Sequence, residues 1–305
     1  MKINEIAPLF FNYKSNFVKK SSLSSYTMNY ENHLLPYFGN LDSISESIVQ
    51  DYVLKKIEDG LSQKTIKDTI IVLKMILKYG SKKGLIEYKI FDIVYPSGSG
   101  KYKLEVLSIK DTNRLISHLT DHFSFRSLGI LISISTGLRI GEVCALTWED
   151  FDLEKGVVKV NKTIQRVYII DEGKRMGTEL LIDTPKTSSS VREIPLSGDL
   201  IKIIKPLMKI VNPEYYVLTN DDKPTEPRTY RAYYKELMKR LDLPDLKFHG
   251  LRHSFATRCV NANVDIKTVS VLLGHSNITT TLNVYSHPDL EQKKSAIAKM
   301  FKTLK

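Results

Sequence analysis

Apolar positions in the first hundred residues recur every three or four places, which is the spacing of one helix face. Ile44, Ile48, Tyr52 and Ile57 form such a face, with Val49 and Val53 beside them. Ser43 and Glu46 ahead of it make a capping-box pattern, and Gly60 closes it. Ser62 can cap a second helix in which Ile66, Ile70, Leu73 and Leu77 share a face, with Gly80 as its stop. Earlier helices are expected over Ile6–Val18 and Ser24–Leu35, giving a four-helix unit. Beyond residue 100 the pattern changes. Ser108 and Asp111 open a helix carrying Leu115, Ile116 and Leu119, and an apolar helix follows over Phe125–Ser135. Val157–Val160, Val167–Ile170, Leu180–Ile182 and Val191–Ile194 are short and β-branched, and read as strands joined by turns. From Leu200 the helical spacing returns. The fold class expected is an all-α N-terminal domain followed by a mainly α domain with a small antiparallel β-sheet, an α+β arrangement. Pro96-Ser97-Gly98-Ser99-Gly100-Lys101 separates them as a flexible link. The divisions are 1–95, a linker over 96–103, and 104–305, with a last helix over about 288–305.

A length of 305 residues suits two domains, and 42% hydrophobic with 26% charged residues excludes a disordered or collagen-like chain. Two cysteines, Cys144 and Cys259, are too few for a disulfide framework and read as reduced core thiols. The start, Met1-Lys2-Ile3-Asn4-Glu5, lacks the basic lead and apolar run of a secretory signal, and no apolar run is long enough to span a membrane. A cytoplasmic protein is expected. The net charge of +11 calls for an anionic partner, nucleic acid first.

Five patches carry candidate chemistry. In Thr136-Gly137-Leu138-Arg139-Ile140-Gly141-Glu142, a glycine ends the apolar helix and Arg139 and Glu142 share the next helix face; alone they make a surface ion pair. In His249-Gly250-Leu251-Arg252-His253, three side chains project from one side of a helix. That set suits an anion, or a metal through His-x-x-x-His, though it lacks the glutamate of a metalloprotease helix. Gly274 stops a helix and displays His275 on a loop. Tyr285 is one of 16 tyrosines, and Lys186 sits in a turn between strands.

Taken in order, Arg139, Lys186, His249-x-x-Arg252, Gly274-His275 and Tyr285 resemble the catalytic set of the tyrosine recombinases, the phage-integrase family. The resemblance covers most of the chain, with the specific motifs between Leu104 and His287; the N-terminal helices resemble the family's core-binding domain by pattern and position only. It implies strand cleavage and rejoining through a covalent 3′-phosphotyrosine, with Tyr285 as nucleophile. Arg139 and Arg252 would clamp the phosphate, His249 would accept the tyrosine proton, and Lys186 would protonate the leaving oxygen. His275 would donate to the phosphate, and Glu142 would orient Arg252 or His249. No metal, ATP or other cofactor is implied. Partners implied are double-stranded DNA with specific recombination sites and a homotetramer on that DNA, located with the nucleoid. The tail is expected to dock on a neighbouring protomer, and an accessory DNA-bending or directionality protein is left open. DNA contacts are expected from Lys101 and Lys103 at the linker and from Arg166, Lys174 and Arg175 in a long polar hairpin that would extend the sheet or touch DNA. The chain departs from the family in lacking Asn-Pro at the end of its first domain, and no additional arm-binding domain is expected within these 305 residues. Integration or excision of a mobile element is the leading role. Alternatives are Xer-type dimer resolution, type IB topoisomerase-like nicking, a regulator that no longer cuts, and a zinc enzyme built on His249, His253 and His275.

Overall fold

The computed structural model describes residues 1–88, 90–96, 105–185, 188–285, 294, 297, 298, 300 and 301. The chain forms two compact units, Met1–Tyr102 with Arg166–Leu181, and Lys103–Gln165 with Ile182–Lys305.

The first unit holds α1 (Ile3–Ser15), α2 (Lys20–Asn29), α3 (Leu35–Phe38), α4 (Glu46–Glu58) and α5 (Gln63–Lys82). A wider helical turn, Tyr30–Leu34, joins α2 to α3. The core is built from the expected periodic positions, Val49, Tyr52 and Val53 of α4 against Ile66, Ile70 and Leu73 of α5, with Ile6, Phe10 and Phe11 of α1. Two boundaries differ from the sequence expectation. The N-cap of α4 is Ser45, whose hydroxyl accepts from the Ile48 N–H at 3.3 Å, and not Ser43. Glu46 reaches away, accepting the Asp92 N–H at 2.8 Å. Gly80 lies within α5, where an added Cβ would press on Ile86 and Ile6; the chain turns instead at Gly84, with φ +69°. Gly60, at φ +80°, does end α4, and Ser62 caps α5.

The long hairpin, β3 (Thr163–Asp171) and β4 (Lys174–Asp183), also differs from expectation. It is a separate two-stranded sheet and does not extend the other one. Most of it belongs to the first unit. There Ser24 accepts the Tyr168 N–H at 2.9 Å, Arg175 pairs with Glu31 at 3.2 Å, and Lys20 pairs with Glu179 at 2.7 Å.

The second unit opens with α6 (Ile109–Asp121), capped by Ser108, then α7 (Phe125–Thr136) and α8 (Ile140–Ala145). A three-stranded antiparallel sheet follows in the order β1 (Phe151–Asp152), β2 (Val157–Val160), β5 (Arg192–Pro195). Then come α9 (Gly198–Leu207), α10 (Pro227–Arg240), α11 (His249–Asn261), α12 (Ile266–Leu273) and α13 (Ile278–Tyr285). α7 is apolar nearly all round and is buried accordingly, from Leu128 to Ile134. α6 and α11 pack on α7, and α12 packs on α11, α13 and β5. The C-terminal end of α7, the start of α11, the end of α12 and strand β5 therefore meet in one place. Cys144 is buried and its thiol pushed up to about 12 by burial; Cys259 is half-buried, and both are free thiols. Among the described residues no helix is long and apolar enough to cross a membrane.

Candidate active site

The meeting place is organised by two glycines. Gly137, at φ +67°, ends α7, and Gly274, at φ +64°, ends α12; both adopt the left-handed turn that glycine takes without strain. Arg139 follows as the N-cap of α8, and Glu142, three residues on, folds back to it. One Glu142 oxygen accepts the Arg139 backbone N–H at 2.9 Å, and the other accepts Arg139 Nη1 at 2.8 Å.

A third residue completes this pair. Arg192 of β5 donates Nη1 and Nη2 to the two Glu142 oxygens at 3.1 and 3.0 Å. Its Nε donates to the Leu272 carbonyl at 2.7 Å and its Nη1 also to Ser190 at 2.9 Å. Glu142 is 3% exposed, and the Arg192 side chain 5%. The expectation that Glu142 orients Arg252 or His249 is therefore corrected, since its hydrogen bonds go to Arg139 and Arg192. Arg192 itself was missed. The signal for it lay in β5, where Arg192 shares the inward face with Ile194, and an arginine on a core face requires a buried partner.

Arg252, 2% exposed on α11, donates Nη1 to the Gly137 carbonyl at 2.9 Å and Nη2 to the Leu273 carbonyl at 2.5 Å. Arg139 Nη2 donates to the Gly274 carbonyl at 3.2 Å. Three successive carbonyls at the end of α12, those of Leu272, Leu273 and Gly274, thus each accept from a different arginine. A helix C-terminus carries unsatisfied carbonyls and partial negative charge, so it holds guanidiniums without neutralising them. Three cations against the single carboxylate of Glu142 leave a surplus of two positive charges.

Two imidazoles adjoin the cluster. His249 begins α11 and is held down to about 4, first by desolvation of its ring and then by His253, Arg252 and Arg139. His275, on the loop after Gly274, is likewise held to about 4 by burial and by Arg252 and Arg139. Its Nδ1 lies 2.8 Å from the hydroxyl of fully buried Thr281. With Thr281 donating, Nε2 carries the ring proton and can donate. Both rings are neutral at pH 7. The whole is an anion site with neutral proton-transfer groups at its edge.

The structure thus brings together Arg139, Glu142, His249, Arg252 and His275. His253, half-buried, stands edge-on to His249 with ring centres 4.7 Å apart. Tyr285 is the last residue of α13, which packs on α11 and α12; its side chain lies outside the described atoms. Lys186, Lys101 and Lys103 lie outside the described residues, as do His287 and most of the tail. Arg166, Lys174 and Arg175 lie on the hairpin of the first unit, where Arg166 donates to Thr178 at 3.0 Å and Arg175 stands over the Tyr168 ring at 4.4 Å. Among the described residues no group of three His, Cys, Asp or Glu is placed to hold a metal.

Comparison with known proteins gives consistent matches along the chain. The model of the phage integrase family matches residues 105–292, and that of the phage integrase N-terminal SAM-like domain matches residues 1–57. A tyrosine recombinase XerC-like protein of Caldanaerobacter subterraneus is 30% identical over 92% of this chain and 78% of its own. The transposase from transposon Tn916 of Enterococcus faecalis is 27% identical over 86% of this chain and 67% of its own. Among solved structures, the Tn1549 transposon integrase in complex with transposon right end DNA superposes with a TM-score of 0.77 at 24% identity, covering 98% of this chain and 99% of that one. A lambda integrase tetramer bound to a Holliday junction superposes with a TM-score of 0.68 at 16% identity, covering 93% of this chain and 77% of that one.

Proposed function

Because the chain belongs to the phage integrase family of tyrosine recombinases, we propose that the arginine cluster grips the scissile phosphate of a DNA strand while Tyr285 attacks it. The enzyme is a site-specific DNA recombinase. The single observation that supports the assignment of residues is the cluster on the end of α12, which holds three arginines against one carboxylate.

The chemistry follows from charge. An attacked phosphodiester gains negative charge on its non-bridging oxygens, and Arg139 and Arg252 supply fixed donors for it. The phenol of Tyr285 must lose a proton, and a neutral His249 is able to take it. Phosphate binding places negative charge beside His249 and raises its proton affinity from about 4 towards neutrality, so the base strengthens when substrate arrives. His275 donates Nε2–H to a non-bridging oxygen. Lys186 gives a proton to the departing 5′-oxygen. The phosphorus exchanges one oxygen ester for another, and the reverse attack by a 5′-hydroxyl restores the strand without ATP.

The biological role supported best is integration or excision of a mobile element, since relatives include the Tn916 transposase and the ICEBs1 integrase of Bacillus subtilis. A dimer-resolving role is the second reading, carried by the XerC-like relative. The partners in this proposal are duplex recombination sites and three further copies of the chain. The tail exposes Ile297, Met300 and Phe301. A groove lined by Leu107, Ile109, Ile116 and Thr257, between the start of α6 and α11, offers an apolar seat for the tail of a neighbour. An accessory DNA-bending or directionality protein belongs to the same proposal.

The test is covalent trapping. Wild type and Tyr285→Phe are incubated with genomic fragments in EDTA, denatured in detergent and examined for protein-linked DNA. Linkage in wild type and none in Tyr285→Phe is expected. Linkage that persists in the variant assigns the nucleophile to another residue. Sequencing the trapped fragments separates the two roles, because element ends identify an integrase and one fixed chromosomal site identifies a resolving enzyme.

A further inference from the structure

We propose that Arg192 is a positioning residue of this site, occupying the Glu142 carboxylate so that Arg139 keeps its positive charge for the scissile phosphate. The inference rests on the recombinase reading and adds a residue whose side chain is 5% exposed and acts through Glu142 and Arg139.

The hydrogen bonds divide the work unevenly. Arg192 engages both Glu142 oxygens through its side chain, at 3.1 and 3.0 Å. The Arg139 side chain engages one, at 2.8 Å, and its backbone N–H takes the other, at 2.9 Å. Four donors therefore meet a carboxylate with about four lone-pair sites, and Glu142 is saturated. Burial makes that carboxylate dependent on compensation. Without Arg192 the only cation bonded to it is Arg139, and an Arg139–Glu142 pair is neutral towards a phosphate. With Arg192 buried behind it, the trio of Arg139, Glu142 and Arg192 carries one net positive charge, and the exposed member of the trio is Arg139, with 35% of its side chain open.

Arg192 also ties the site together in space. It bonds the end of α12 through Leu272 and the Ser188–Ser190 turn through Ser190, four residues after Lys186. It fills the space a side chain at Gly274 would need, since a Cβ there would lie 3.1 Å from Arg192 Nη1. At Gly274, whose φ of +64° already favours glycine, Arg192 adds a second reason for the absence of a side chain.

The test compares cleavage of nicked duplexes carrying the trapped sequence, with either an ordinary phosphate or an uncharged methylphosphonate at the scissile position. Arg192→Leu is expected to bind DNA like wild type and to cleave the phosphate about 10–100-fold more slowly, whereas Arg192→Lys, which keeps a cation beside Glu142, should lose less. The loss is expected to shrink on methylphosphonate, as for Arg139→Ala, and the double variant Arg139→Ala/Arg192→Lys should be no slower than Arg139→Ala. Arg192→Leu/Glu142→Gln, which removes both buried charges, should regain about tenfold over Arg192→Leu because Arg139 is no longer neutralised. An equal loss on both DNAs, additivity in the Arg139 double variant, or no regain with Glu142→Gln overturns the proposal. Wild type that binds but never links to DNA overturns the recombinase reading instead. Inorganic phosphate then decides the role of Arg192, since it should raise the melting temperature of wild type and of Arg192→Leu/Glu142→Gln but not of Arg192→Leu. An equal rise in all three proteins overturns the proposal.

Discussion

At the scale of residues, Arg252 and the two neutral histidines carry the clearest expectations. Arg252 is buried and satisfied by two carbonyls. Replacing it with lysine keeps charge but loses the planar fork. Arg252→Lys is expected to lower stability by about 1–3 kcal/mol, read by urea unfolding. It should slow cleavage by about a hundredfold or more. The histidines set a pH dependence. Folding lowers the pKa of His249 and His275 from 6.5 to about 4. Below 6.5 the unfolded chain binds protons that the native state refuses, so stability is full above that pH and falls towards about 4. The urea midpoint should decline through that window, and His249→Gln/His275→Asn should flatten it. Arg139, Arg252, His249 and His275 were singled out only as a set, through their resemblance to the family's catalytic residues, since taken singly they read as a surface ion pair, an anion or metal site and a loop histidine. Arg192 was missed because, although its inward place on β5 called for a buried partner, those partners lie 50 and 80 residues away and local pattern does not name them.

At the scale of elements, helix ends were read well where the cap is local and poorly where a tertiary contact decides. Ser62 and Ser108 cap α5 and α6 as expected from their spacing. At α4 two serines compete, and Ser45 wins because Glu46 is drawn off to Asp92. Ser45→Ala should therefore cost about 1 kcal/mol and Ser43→Ala almost nothing, compared by thermal unfolding. The end of α12 gives a sharper case. Gly274→Ala forces a side chain into φ +64° and against Arg192 and the Ser189 carbonyl, both 3.1 Å from the new Cβ. A cost of at least about 1 kcal/mol is expected, together with a loss of cleavage larger than the loss of stability explains.

At the scale of the whole molecule, the α+β class and the helical first unit were legible from periodicity, whereas the fate of the hairpin was not. Its alternating strands fit any sheet, and contacts with Ser24, Glu31 and Lys20, which local pattern does not announce, help place most of it in the first unit. Gly173, at φ +75°, closes against the Pro8 backbone, so Gly173→Ala should destabilise the first unit in hydrogen exchange. The net charge of +11 makes DNA binding steeply salt-dependent. Six to ten phosphate contacts would weaken affinity by about 10³–10⁵ between 50 and 200 mM salt, measurable by fluorescence anisotropy.

The gathering of three arginines on the end of α12 also sets a schedule. The chain emerges from the ribosome with Arg139 and Glu142 first, Arg192 some fifty residues later, and α12 and Tyr285 after all three. Until Leu272–Gly274 have been made, Arg192, Arg139 and Arg252 each lack one of the carbonyls they bond. Chains cut short before residue 272 are therefore expected to lack the assembled arginine cluster and with it the grip on phosphate that the proposed cleavage needs.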